Sequence, residues 1–99
     1  MLLKVYSIYD SKAEAYNQPF YMQSTGAAIR AFEDNARDPS TSIHKHPEDY
    51  SLFELGTFDD ATASFDTYLT PKSLGVAIEF MNENDVSSGT MKRPEAVAS

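Results

Sequence analysis

An α+β fold is predicted: two ββα units share one antiparallel sheet, both helices lie on one face, and a polar tail follows. Three observations predict it. Short β-rich runs and helix-period runs follow one another as strand, strand, helix, and then again in the same order. Turn residues punctuate those runs at matching places. Shifting the chain by 49 residues without a gap then lays Tyr9-Asp10 over Phe58-Asp59, Tyr16 over Phe65, Ser24 over Ser73, Gly26 over Gly75 and Ala28-Ile29 over Ala77-Ile78. A ββα unit cannot bury both a sheet face and a helix stripe by itself, so pairing two units is the economical solution.

Leu2 to Tyr9 reads as the first strand, with Leu3, Val5 and Ser7 on one face and Lys4, Tyr6 and Ile8 on the other. Polar residues from Asp10 to Asn17 make a turn. Pro19 then places Phe20 to Gln23 at an edge strand or a strand start, closing a hairpin. Ser24 or Thr25 can cap a helix that carries Ala28, Ile29, Phe32 and Ala36 on one side and ends by Asp38, ahead of Pro39. Pro39 to Asp49 has the composition of a loop. Tyr50 to Phe58 reads as a strand, Asp59-Asp60 as a turn and Thr62 to Leu69 as another strand. Pro71 to Ser73 introduces a short helix with Val76, Ala77, Phe80 and Met81 as its apolar side. Residues 1 to 82 are thus expected to form one domain and residues 83 to 99 a flexible tail.

Composition narrows the function. The chain has 99 residues, 41% of them hydrophobic and 23% charged, which suits one globular domain with one modest core. There is no cysteine, so disulfides and thiolate metal sites are excluded. The N-terminal apolar run is too short for a signal peptide, and nowhere do eighteen apolar residues run together, so no membrane partner is expected. Fifteen acidic residues against eight basic ones give a net charge of −7, which repels a polyanion at long range. Only a local strip of rings and cations could overcome that, by stacking on single strands.

Catalytic motifs are missing. No serine sits in a glycine-flanked elbow, and the lone Gly26 lacks the repeated glycines and lysine of a phosphate loop. Adjacent acids at Glu48-Asp49 and Asp59-Asp60 have the chemistry of turns. His44 and His46 could share a face but have no other histidine to complete a metal set. The chain is therefore read as a binding protein and not an enzyme, with no catalytic residue, cofactor or metal. In that loop His44, Lys45 and His46 are candidates for contact with a protein partner.

Rings are the remaining signal, six tyrosines and six phenylalanines without tryptophan. Tyr6, Tyr9, Tyr16, Tyr21, Phe65 and Tyr68 cannot all fit inside so small a core, so some should show on the open sheet face or in a homodimer interface. The candidate nucleic-acid-binding set is Tyr6, Tyr9, Tyr21, Phe65 and Tyr68 for stacking, with Lys4, Lys12, Arg30 and Lys72 for phosphates.

Several segments together carry a resemblance: Val5-Tyr6-Ser7-Ile8-Tyr9-Asp10-Ser11-Lys12, Gln18-Pro19-Phe20, Ala28-Ile29-Arg30-Ala31-Phe32, and above all the run from His46 to Asp59, HPEDYSLFELGTFD. Over roughly residues 1 to 80 the chain resembles the small non-structural protein of gokushoviruses, microviruses with circular single-stranded DNA genomes, a family also labelled phage open-reading-frame-five protein. The resemblance implies a protein made in the host bacterial cytoplasm and absent from the virion. It also implies DNA binding that assists genome replication or the switch to single-stranded synthesis and packaging. It brings no residue-level site. The alternative is an acidic interaction factor that contacts a phage or host replication or packaging protein without touching DNA.

Overall fold

The computed structural model describes residues 1–86. Its sheet is built on two long central strands, β1 (Leu2–Asp10) and β4 (Tyr50–Asp59), antiparallel along their whole length from Leu2 opposite Asp59 to Asp10 opposite Tyr50. Outside β1 lie two short strands, β2 (Ala15–Tyr16) and β3 (Phe20–Met22); outside β4 lies β5 (Ser64–Val76). Each hairpin thus contributes one central and one outer position. Helices α1 (Thr25–Arg37) and α3 (Ala77–Val86) pack together on one face, and a single turn of helix, α2 (Ser42–Lys45), lies between α1 and β4. The α+β architecture with two ββα units is the one the sequence predicts.

The repeat extends to backbone detail. Glu14 and Ala63, 49 positions apart, are both non-glycine residues with positive φ, at 57° and 60°. Each follows an aspartate at the same place in its turn. Asp10 Oδ1 accepts from the amides of Lys12 and Ala13, and Asp59 Oδ1 accepts from the amide of Ala61. Aspartate is favoured at such turns because its side chain can satisfy the amides that the reversal leaves unpaired.

The core lies between the sheet and α1. Tyr6 from β1 and Leu52 from β4 meet Ala28, Phe32 and Ala36 of α1, with Ile43 of α2 and Ala77 of α3 closing the ends; all are buried. Phe32 takes an edge-on contact with Phe80 of α3 at 5.8 Å between ring centres. Ser24 caps α1, its hydroxyl accepting from the Ala27 amide at 3.2 Å. Such a cap contributes about 1 kcal/mol to helix stability.

Three sequence expectations need correction. Pro71 does not start a helix: β5 continues through it to Val76, with Ser73 opposite Phe53 and Val76 opposite Ser51. Proline is tolerated there because β5 is the outermost strand and Pro71 belongs to an excursion of the ladder, where its missing N–H costs no pairing. Gly75, at φ 138°, then turns the chain, and α3 starts at Ala77 with Glu79 Oε1 accepting from the Val76 amide at 2.8 Å. The Pro39 to Asp49 connection is not all loop, since Thr41 caps α2 and delivers Ile43 to the core. Finally, the Asp10 to Asn17 segment is not all turn, since Ala15 and Tyr16 pair with Asp10 and Tyr9 as β2. Helix α3 runs to Val86, and residues 87–99 of the expected tail lie outside the described residues.

Candidate functional site

Strand alternation sorts the side chains of the sheet onto two faces. Lys4, Tyr6, Ile8, Leu52 and Glu54 turn towards the helices. Leu3, Val5, Ser7, Tyr9, Phe53 and Phe58, with their cross-strand partners, turn to the face that no helix covers.

That open face carries six rings in two groups of three. In the first, Tyr9 and Tyr16 pair across β1 and β2 at 4.9 Å between ring centres, and Phe53 of β4 approaches them edge-on at 6.2 and 5.6 Å. In the second, Phe58 and Phe65 pair across β4 and β5 at 4.6 Å, joined by Tyr21 of β3 at 5.6 and 6.5 Å. The pairs Tyr9–Tyr16 and Phe58–Phe65 are related by the 49-residue offset, so the repeat places one cross-strand aromatic pair on each hairpin. Tyr16, Tyr21 and Phe65 are 46, 42 and 59% exposed, whereas Tyr9, Phe53 and Phe58 are half-buried beneath them. Between the groups Val5 and Ser7 are buried, Ser7 Oγ donating to the Asn17 carbonyl at 2.6 Å. The surface therefore has two ring platforms separated by a small-residue saddle.

Of the candidate stacking residues, Tyr9, Tyr21 and Phe65 lie on this face. Tyr6 does not. It is fully buried on the helix face, stacked on Phe20 at 5.7 Å, its hydroxyl donating to Thr25 Oγ1 at 3.1 Å, so it cannot meet a base. Burial also pushes its phenol above the usual tyrosine range. Tyr68 points away from the rings as well, donating its hydroxyl to Glu54. The cations divide in the same way. Lys4 donates to Thr25 Oγ1 at 3.3 Å on the helix face, Arg30 is on α1, and Lys72 pairs opposite Glu54. Lys12 lies in the turn that joins β1 to β2, the two strands that carry Tyr9 and Tyr16. The strand positions that carry the two ring groups bear no charged side chain.

Sequence reasoning did not nominate Tyr16, Phe53 and Phe58 as site residues. The signal was there: the repeat superposes Tyr9 on Phe58 and Tyr16 on Phe65, two aromatic positions kept at the same points of both hairpins.

Under the helices sits a polar network around Glu54, which is 3% exposed. Its carboxylate accepts from Tyr68 and, at 3.4 Å, from Thr25 Oγ1. A buried carboxylate is tolerable because such bonds replace water. The bond to Glu54 pushes the Tyr68 phenol up to about 12. For an acid whose folded pKa is raised, the folded form holds its proton while the unfolded form loses it. Stability from this bond is complete below pH 10 and fades between pH 10 and about 12. Urea midpoints of the wild type and Tyr68→Phe should therefore differ at pH 8 and converge over that window; a constant gap would show that Tyr68 does not titrate against Glu54.

In the connection before β4, His44 is half-buried with Nδ1 2.9 Å from the Ala36 carbonyl, whereas Lys45 and His46 are exposed. Among the described residues no three His, Asp or Glu side chains come together as a metal site, and no helix is long and apolar enough to cross a membrane.

Comparison with known proteins supports the resemblance seen in the sequence. Protein ORF5 of Chlamydia phage 1 is 38% identical over 64 residues, covering 61% of this chain and 67% of that protein. No solved structure matches. The phage ORF5 protein family matches residues 3–80, from β1 through both central strands to the start of α3, so both ring groups fall inside it and the chain belongs to that family.

Proposed function

We propose that this phage protein binds single-stranded DNA by stacking bases on the open sheet face. In this reading it acts in the host cytoplasm, outside the virion, and assists genome replication or the switch to single-stranded synthesis and packaging. It works by binding, without catalysis. The observation that supports this is the pair of exposed ring platforms on the face opposite the helices. Two-layer α+β domains engage splayed bases with aromatics on an open sheet in the same way.

Magnitudes shape the proposal. Stacking contributes roughly 1–3 kcal/mol per base, so the exposed rings of Tyr16, Tyr21 and Phe65 can offer a useful gross energy against a net charge of −7. With Lys12 the one nominated cation not held on the helix side of the sheet, few counterions are released. The slope of log affinity on log salt should be shallow, about −0.7 for one neutralised phosphate.

Fluorescence anisotropy with a labelled oligo(dT) at rising salt tests this. Phe65→Ala and Tyr21→Ala should each weaken binding by about 5- to 150-fold, the equivalent of one lost stacked base. Because both rings are substantially exposed, the melting temperature should move little. Absence of binding at about 50 mM salt would sink the DNA reading.

The uncharged character of the ring-bearing positions favours a second reading, contact with a phage or host replication or packaging protein, to which exposed Lys45 and His46 could add. Charge depletion with aromatic enrichment is the signature of an interface centre. Failure to bind DNA, together with loss of phage yield on Phe65→Ala at normal protein level, would support this second reading.

A further inference from the structure

Opposite edges of the sheet carry a projecting apolar side chain and an apolar groove. On β5 the ladder with β4 jumps from Thr67 opposite Gly56 to Lys72 opposite Glu54, so residues 68–71 bulge out of the sheet. Leu69 lies in this excursion and is fully exposed, at 103% of its reference area. A lone exposed leucine is ordinary on a protein surface. This one differs because its supports are anchored: Tyr68 is bonded to buried Glu54, Pro71 has a fixed φ, and Lys72 is back in register.

At the other edge, between β1, β3 and α1, lies a groove of about 280 Å³ lined by Ile8, Phe20, Met22, Ala31, Phe32 and Asn35. Its lining is apolar apart from Asn35, whose amide already donates to the Ala31 carbonyl at 3.1 Å. Arg30 and Asp34, exposed and one turn apart on α1, stand beside it; Asp66 and Lys72 flank the Leu69 excursion. Each side thus offers one cation and one anion, so two acidic chains can meet here with opposite charges paired.

We infer that the groove takes Leu69 of a second copy of this chain, with Asp66 near Arg30 and Lys72 near Asp34 across the contact. Strand addition at β5 is disfavoured, because Pro71 and the excursion interrupt the outer edge. Since projection and groove occupy opposite edges, the contact is head-to-tail, and repeating it builds a row of molecules instead of a closed pair. Such a row brings successive open faces onto one strand, where each bound copy raises the local concentration of the next. That use rests on the DNA reading above; the contact itself does not.

The absence of cysteine permits a direct test without DNA. A Thr70→Cys, Asn35→Cys double variant, which keeps Leu69 and places a thiol on the exposed residue beside it, should give a ladder of dimer, trimer and longer species when oxidised and run without reductant. Each single-cysteine variant should stop at dimer. Adding Ala31→Glu, which puts a charge in the groove, should collapse the ladder while leaving the circular dichroism of the folded domain unchanged. A double variant that stops at dimer, or a ladder that survives Ala31→Glu, overturns the inference. DNA binding measured separately on the wild type is untouched by either result, so the two failures are distinguishable.

Discussion

Tyr6→Ala should lower stability by about 3–5 kcal/mol, the cost of removing a fully buried ring. For a domain of this size that corresponds to a fall in melting temperature of roughly 12–40 °C. The ring lies against Phe20 and the α1 residues of the core. Its hydroxyl helps fix Thr25, which in turn donates to Glu54. Removing it opens a cavity and loosens the polar network together, so the effects compound. Thermal unfolding followed by circular dichroism measures the change. A loss below about 1 kcal/mol would mean that Tyr6 is not the centre of the core. The contrast with Phe65→Ala is the informative part: the two aromatics lie on opposite faces of one sheet, yet one should govern folding and the other binding.

Gly56→Ala is the second large effect. A methyl group at Gly56 would lie 2.2 Å from the carbonyl oxygen of Asp66 and 2.8 Å from the Thr67 Cα. Both are backbone atoms, so no side chain can swing aside. β4 and β5 must separate at the point where their register already shifts. Overpacking typically costs about 1–3 kcal/mol, and here the strain falls on the ladder itself, so the upper end is expected. The urea midpoint should drop accordingly. Gly26→Ala is the control, because no atom lies within 4 Å of its added methyl and an alanine favours the helix. Equal midpoints for Gly56→Ala and the wild type would contradict the close approach of the strands.

Much of the fold follows from local sequence chemistry. Ser24 is a helix cap, the apolar spacing through Phe32 and Ala36 gives α1 its buried side, and Asp10 and Asp59 mark two turns of one kind. The 49-residue register holds in the turns, where Glu14 and Ala63 share a rare backbone conformation, and in the hairpins, where Tyr9–Tyr16 matches Phe58–Phe65. These features depend on contacts within a few residues or across one hairpin, and a sequence can display them.

Local chemistry in the chain thus displays the strand, strand, helix order of each half, the repeat, and an excess of rings too large for one core; it does not mark the short elements α2 and β2. Which rings face outward is settled by long-range packing. Both sides of β1 carry apolar and polar residues in similar measure, Leu3, Val5 and Ser7 against Lys4, Tyr6 and Ile8, so alternation separates two faces without saying which one α1 and α3 will cover. The same holds for Pro71, whose fixed φ suits the first turn of a helix and an outer strand equally. Pairing of residues 72–76 with Ser51–Glu54 selects the strand, and packing of α1 on Tyr6 and Leu52 leaves Tyr16, Tyr21 and Phe65 open to a partner. Both choices are made by contacts between residues far apart in the chain, and no local pattern encodes them.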